Sequence, residues 1–160
     1  MSTYCVRADI EALFGEDNVR AWADLNGNQD VTEIEDRITE AIADASDDVD
    51  EVMRGGPYSI PLVDITTLTT PRGIKKITAT LAGVWLYNKR GIEDFDQEEG
   101  TAKHKLAYNE DEARSQLAEY RASVRRLNAT RVGSMTPHAV DHYTEVGSDD
   151  NLTSEIRQAE

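Results

Sequence analysis

The residues best suited to chemistry lie in one polar turn. Its oxygen-bearing side chains recur at every second position and end on a glutamate: Asp24, Asn26, Asn28, Asp30, Thr32 and Glu35. This is the ligand spacing of an EF-hand-type calcium loop, in which alternating oxygens surround Ca²⁺ and the last glutamate can bind it with both oxygens. The turn departs from that pattern at Gln29, where such a loop normally needs a glycine. We predict a structural cation site with five side-chain ligands: Asp24, Asn26, Asn28, Asp30 and Glu35.

A second interpretation of the same turn stays open. Asp and Asn are frequent in turns because their side chains bond to the nearby backbone. Thr32 and Glu35 also have the spacing of a capping box, which satisfies free amides at the start of a helix.

Other candidates for chemistry are weaker. His138 and His142 are four residues apart beside Asp141, yet no third ligand is fixed and Pro137 opposes a rigid helix. Cys5 would need a base to act as a nucleophile, and a small buried residue is the simpler interpretation. The sequence has no glycine-rich phosphate loop, no G-x-S-x-G and no H-E-x-x-H. We therefore expect no enzyme activity and no cofactor other than a possible structural Ca²⁺.

Composition narrows the class of protein further. The 160 residues carry a formal charge of −14 at pH 7, which argues against a broad phosphate-binding face and against docking on an anionic membrane. A single cysteine excludes an intramolecular disulfide. We see no apolar run long enough to span a membrane and no secretory leader. We expect a soluble, acidic, non-secreted single domain.

Apolar spacing predicts that helices position these residues. Two short helices are expected over residues 7–15 and 17–23, followed by a long one from Thr32 to Arg54 whose apolar stripe steps by three and four. Pro71 can open the next helix. That helix is apolar nearly all round from Ile74 to Tyr87, as in the middle of a bundle.

The rest of the chain is more polar. A solvated acidic connection, residues 93–100, leads to a last helix that begins between residues 101 and 109 and runs to about Leu127. The fold class is therefore all-α: a small helical bundle with long central helices, a proline-containing loop and an extended C-terminal arm. We place a helical domain at residues 1–133 and the arm at residues 134–160.

The order of these segments resembles a known family. The opening residues 4–16, the Asp/Asn/Gly turn, the long acidic helix, the loop Gly56-Pro57-Tyr58-Ser59-Ile60-Pro61-Leu62 and the apolar helix follow one another as in Mu-like prophage head-completion proteins. Those proteins are head-to-tail connectors (adaptor or neck proteins) of tailed phages. The resemblance covers roughly residues 4–133.

This resemblance implies a structural virion protein of the neck, made in the host cytoplasm. Such a protein assembles as a ring, expected to be a dodecamer, under the portal protein. The ring joins the head to the tail or to a stopper (tail-completion) protein. It also extends the DNA channel, through which DNA passes without sequence-specific binding, and no membrane is involved.

The resemblance also implies roles for particular residues. The loop 58–68, with Tyr58, Ile60 and Leu62, would meet the stopper or a neighbouring subunit. The segment 128–160 would face the portal, with Met135, Val140 and Tyr143 as apolar anchors. The acidic face of the long helix, residues 33–50, is a candidate lining of the channel, because like charge keeps DNA from sticking.

Overall fold

The computed structural model describes residues 2–91, 95–96, 103–104 and 106–132. Within them the chain forms five helices: α1 (Arg7–Phe14), α2 (Glu16–Ala23), α3 (Val31–Met53), α4 (Arg72–Lys89) and α5 (Ala107–Arg121). A minimal antiparallel pair, β1 (Phe95–Asp96) and β2 (Lys103–His104), lies between α4 and α5. The predicted all-α helical bundle is confirmed. The predicted arm, residues 134–160, lies outside the described residues, so the domain boundary stays a prediction.

Helix α3 begins one residue earlier than the sequence predicted. Asp30 is its N-cap and accepts hydrogen bonds from the backbone N–H groups of Thr32 and Glu33, at 2.9 and 3.5 Å. The predicted capping box of Thr32 and Glu35 is therefore wrong. Thr32 already lies inside the first turn, and the Glu35 carboxylate pairs with Arg7 of α1 instead.

Helix α4 lies in the middle of the bundle and packs against α1, α2, α3 and α5. Its buried residues occupy almost every direction around the axis: Ile74, Ile77, Thr78, Ala79, Leu81, Ala82, Gly83, Val84, Leu86 and Tyr87. Each fully buried Leu or Ile contributes about 1.5–3 kcal/mol relative to exposure. The prediction of a central apolar helix is confirmed.

An aromatic ladder fixes the two short helices to α4. The rings of Phe14 and Trp22 meet edge to face at 5.5 Å, and those of Trp22 and Tyr87 at 5.4 Å. Such pairs add about 0.5–1.5 kcal/mol each beyond their buried area. Gly83 allows this packing, because a side chain there would overlap the Phe14 ring.

Helix α5 starts within the predicted range but ends at Arg121, not near Leu127. Ser123 adopts a positive φ of 60°, and the amide of Val124 turns back to the carbonyl of Glu119 at 2.9 Å. A residue in this left-handed conformation ends a helix. Val124, predicted to lie on the buried stripe, is instead 75% exposed.

After α5 the chain runs antiparallel along the proline-containing loop. We call residues 127–132 the strap. Its carbonyls at Thr130 and Asn128 accept from the amides of Ser59 and Ile65, at 2.8 and 3.0 Å. The Val132 amide donates to the Pro57 carbonyl at 2.9 Å. The strap therefore fixes where the predicted arm leaves the bundle.

Candidate partner-binding surfaces

The proline-containing loop is anchored to the helices by Tyr4. The Tyr4 hydroxyl donates to the buried Asp50 carboxylate on α3 and accepts from the Leu62 amide at 3.1 Å. Burial, together with the hydrogen bond to Asp50, raises the pKa of Tyr4. The hydroxyl therefore stays protonated and joins the start of the chain, α3 and the loop.

The structure revises the predicted partner-binding role of the first part of this loop. Tyr58 and Leu62 are only 2% and 1% exposed, and Ile60 is partly buried against the core. The Tyr58 hydroxyl accepts from the Leu127 amide at 2.9 Å, and the Arg131 guanidinium lies over the Tyr58 ring at 5.5 Å. Tyr58 therefore holds the loop to the strap; the Tyr58 and Leu62 side chains are buried within the subunit, whereas Ile60 is half-buried.

The exposed apolar side chains of the loop lie further along, at a tight tip. Ile65 and Leu68 are 59% and 78% exposed. Thr66 and Thr67 lie between them, and their backbone amides donate to the Asp64 carboxylate at 2.8 and 2.9 Å. These hydrogen bonds lower the pKa of Asp64, the one from the Thr67 amide most and the one from the Thr66 amide next. The tip is thus a turn closed by its own hydrogen bonds, and it presents two apolar side chains to solvent.

Asn128 of the strap fastens the same tip. Its side-chain amide donates to the Asp64 carboxylate at 3.1 Å and to the Thr66 hydroxyl at 2.9 Å. Apolar periodicity could not have revealed this contact, because Asn128 belongs to no helix and its partners are 62–64 residues away.

In the polar turn before α3, two of the five predicted cation ligands, Asn26 and Asn28, share one hydrogen-bond partner, whereas Asp24 has a different one. The Asn26 and Asn28 amides both donate to Glu33, at 2.7 and 3.3 Å, while Asp24 accepts from the Gln29 amide at 3.2 Å. Among the described residues no three His, Cys, Asp or Glu side chains converge as metal ligands would. Gln29 nevertheless takes the left-handed φ of 54° that a calcium loop requires at this position.

The acidic face of α3 is largely exposed, as the sequence predicted. Its exposed carboxylates run along the helix: Glu35, Asp36, Glu40, Asp44, Asp47, Asp48 and Glu51. Asp50, which the sequence placed on this face, is buried under Tyr4 instead. The face therefore has a strong negative charge toward the C-terminal end of α3, where Asp47 and Asp48 are adjacent.

A cleft of about 470 Å³ lies beside this face, between α3, α4 and α5. Leu81, Val84 and Trp85 give it an apolar floor. On its rim, Arg114 pairs with Glu110 at 2.9 Å and with Asp48 at 3.4 Å. Asp44, Asp47 and Lys89 line the same cleft, so its charged residues are acidic overall.

Cys5 lies in the core and is 2% exposed. Burial, followed by the nearby Asp9 carboxylate, raises the pKa of the thiol to about 12. Since the thiolate is the nucleophilic form, Cys5 is unreactive at neutral pH. The interpretation of Cys5 as a small buried residue is confirmed.

The remaining candidate residues lie outside the described part of the chain. They are the proposed apolar anchors and the tail histidines: Met135, Val140, Tyr143, His138 and His142. No described helix is both long and apolar enough to cross a membrane.

Comparison with known protein families identifies the chain. Residues 4–154 match the family described as "Bacteriophage Mu, Gp36". The chain belongs to the bacteriophage Mu Gp36 family. It is therefore a Mu-like phage protein, and its family indicates a role in phage structure or assembly. No curated protein matches the sequence.

The extent of the family match changes one boundary. The resemblance seen in the sequence was placed at roughly residues 4–133, whereas the match continues to residue 154. Most of the predicted arm therefore belongs to the family as well as the helical bundle.

Proposed function

We propose that the chain is a structural protein of the phage neck, forming a ring that joins the portal vertex of the head to the tail or stopper and extends the DNA channel. The observation that carries this proposal is the match to the Mu Gp36 family over nearly the whole chain. The order of its segments, which resembles that of head-to-tail connectors, supports the more specific assignment to the neck.

The surface of the bundle supports this role. A ring subunit has to contact a neighbour, a partner above and a partner below, so it needs several separate surfaces. The chain offers an exposed acidic face on α3, a self-bonded apolar tip at Ile65 and Leu68, and an arm that leaves from the strap. The part of the acidic face from Asp44 to Glu51 suits a channel, because DNA passing a negative wall is not retained.

The partners follow from these surfaces. In the proposed ring the arm, residues 134–160, binds the portal protein through Met135, Val140 and Tyr143. The loop tip replaces Tyr58 and Leu62 as the apolar contact with the stopper, because its side chains are the exposed ones.

The mass of the purified protein, alone and mixed with its candidate portal, tests this proposal. Native mass spectrometry should show a portal-dependent ring of about twelve copies. A chain that stays monomeric and ignores the portal would overturn the proposal.

Deleting residues 134–160 separates the arm from the bundle. The truncated chain should keep its helical circular dichroism and its melting temperature, since the strap remains, but lose portal binding. As a matched control, Leu68→Ser in the full chain should keep portal binding and weaken only stopper binding. Retained portal binding by the truncated chain would contradict the assignment of the arm.

A second candidate function, a structural Ca²⁺ site in the polar turn, is favoured by the backbone of Gln29. Calorimetric titration with Ca²⁺ tests it, with Asp24→Asn as the control that removes one ligand charge and keeps an acceptor. Heat and a raised melting temperature in the wild type alone would support the site. No heat from the wild type would remove it.

A further inference from the structure

One short stretch of this acidic protein is rich in arginine. Residues 120–132 contain four arginines and no acidic residue. Arg121 closes α5, and the other three follow it in the turn and the strap: Arg125, Arg126 and Arg131. All of them are exposed.

These arginines come together with the end of α3. Gly56, three residues after α3 ends, lies against Arg121. A Cβ atom added to Gly56 would lie 3.4 Å from the Arg121 Cγ. Arg131 lies on Tyr58, and the exposed Arg54 is the C-cap of α3. We call these five residues the arginine pole: Arg54, Arg121, Arg125, Arg126 and Arg131.

The opposite end of α3 is acidic, and exposed carboxylates continue from it along the helix to Asp47, Asp48 and Glu51. Its exposed surface is lined by Asp30, Glu33, Asp36 and Glu40, with Arg37 as the one cation among them, paired with Glu33 at 3.4 Å. We call the four carboxylates the acidic end. A helix of 23 residues is about 34 Å long, so Asp30 and Arg54, the residues that cap α3, lie at its opposite ends.

Local stabilisation accounts for only part of the arginine pole. Cations near the C-termini of α3 and α5 complement the helix dipoles, which suits Arg54 and Arg121. Arg125 pairs with Glu119 at 2.7 Å. Arg126, however, has no ion pair in the described part of the chain, and it and Arg131 lie beyond the last turn of α5.

Each charged end also exposes apolar side chains. Val124 and Val132 flank the arginines, while Val31, 62% exposed, stands at the acidic end directly after Asp30. Exposed apolar residues next to complementary charge are typical of a surface that is buried in an assembly.

We propose that the arginine pole of one copy docks on the acidic end of the next copy. This proposal rests on the proposed ring and identifies the surfaces that form it. The contact joins two different patches of the same chain, so it is heterologous, and heterologous contacts close into rings when the rotation between neighbours allows it. Charge complementarity fixes the direction in which neighbours follow one another.

Charge reversal on each surface tests the contact. The variant Arg125→Glu/Arg126→Glu and the variant Asp36→Arg/Glu40→Arg should each weaken ring assembly with the portal by about 10-fold or more. Combining all four substitutions in one chain should restore assembly. The matched control, Arg20→Glu/Lys76→Glu, makes the same charge change at exposed sites on α2 and α4 and should assemble like the wild type. Melting curves show that each variant is folded.

Cross-linking tests the pairwise contact without requiring a closed ring. One chain carries Arg126→Cys and the other Asp36→Cys, and the native Cys5 is buried. A bifunctional maleimide should join the two chains to each other in preference to two chains of the same kind. Random pairing would overturn the proposal.

The outcomes separate the two proposals. A wild-type ring that the reversals leave unchanged overturns the contact and leaves the neck function standing. Specific cross-linking without a portal-dependent ring keeps the contact and overturns the neck function.

Discussion

The Tyr4 hydroxyl connects three parts of the chain that are far apart in sequence. It donates to Asp50 on α3 and accepts from Leu62 in the loop. Asp50 is a buried carboxylate, and a buried carboxylate is costly unless a hydrogen bond satisfies it. The position of the loop therefore depends on one phenolic group near the start of the chain.

Tyr4→Phe should lower the free energy of unfolding by about 1–3 kcal/mol. The substitution leaves the Leu62 amide without its acceptor and Asp50 without its donor, while the ring still fills the core. Urea unfolding measures the loss. Tyr108→Phe, at an exposed tyrosine, is the control and should change stability by less than about 0.5 kcal/mol. Equal stability of the two variants would contradict the role of the hydroxyl.

Asp64 should make the loop tip sensitive to acid. Its pKa is lowered in the folded chain by the amides of Thr67 and Thr66, so its contribution to stability is present above the unfolded pKa. That contribution is lost as the pH falls through the lower folded pKa. The stability difference between wild type and Asp64→Asn should therefore shrink between about pH 5 and about pH 2.

Thermal unfolding over this pH range measures the effect. Asp36→Asn, which removes an exposed carboxylate from α3, serves as the control. A difference between wild type and Asp64→Asn that stays constant with pH would show that the Asp64 charge does not support the tip.

Individual loop residues show where sequence reasoning reaches its limit. The sequence correctly picked out Tyr58 and Leu62 as apolar residues of an ordered loop but assigned them to a partner. Outside a helix or strand, no periodicity shows which way a side chain points. Residue type alone therefore could not distinguish a buried core residue from an exposed partner-binding one. Their burial depends on Tyr4 and Leu127, which are distant in sequence.

Among the elements, the helices whose apolar pattern extends over many turns were predictable from the sequence, and the strap was not. The stripes of α3 and α4 extend over many turns, so errors at single positions do not change the assignment. The end of α5 depends on the conformation of Ser123 alone. The strap has almost no pattern, because its bonds are backbone contacts with a loop about 70 residues earlier.

The packing of α1 on α4 depends on Gly83. Gly83→Ala should destabilise the chain by about 1–3 kcal/mol, because the new methyl group overlaps the Phe14 ring. In a Phe14→Ala background the same substitution should become neutral or stabilising, since Ala favours a helix over Gly by about 0.8–1.0 kcal/mol. Chemical denaturation of the four chains of this cycle measures both values. The same sign in both backgrounds would contradict the close approach.

At the scale of the whole molecule, the sign of the charge differs between α3 and the chain around the end of α5. Residues 31–53 carry nine acidic residues and one arginine, whereas residues 120–132 carry four arginines and no acid. The net charge of −14 would make copies of an evenly charged chain repel one another. Because the acidic and the basic surfaces lie at different places on the chain, neighbouring copies can attract one another in one orientation.

Association between copies should weaken as salt is added. The Debye length falls from about 10 Å at 0.1 M to about 3 Å at 1 M, which screens contacts between exposed charges. Sedimentation of the wild type with its portal over this range should show loss of ring. A chain with the charge of both surfaces reversed should respond to salt in the same way. Rings that tighten with salt would indicate an apolar contact instead.

The strap also determines how the bundle responds to a pulling force. Tension applied to the chain beyond Val132 reaches the Val132–Pro57 hydrogen bond first, and then the bonds at Thr130 and Asn128 in turn. These three hydrogen bonds open one after another, so the force acts on them in turn before it acts on the helices. A subunit held by its arm would yield at these hydrogen bonds first, gaining a few residues of reach, until the force reaches Ala129, which is buried in the core.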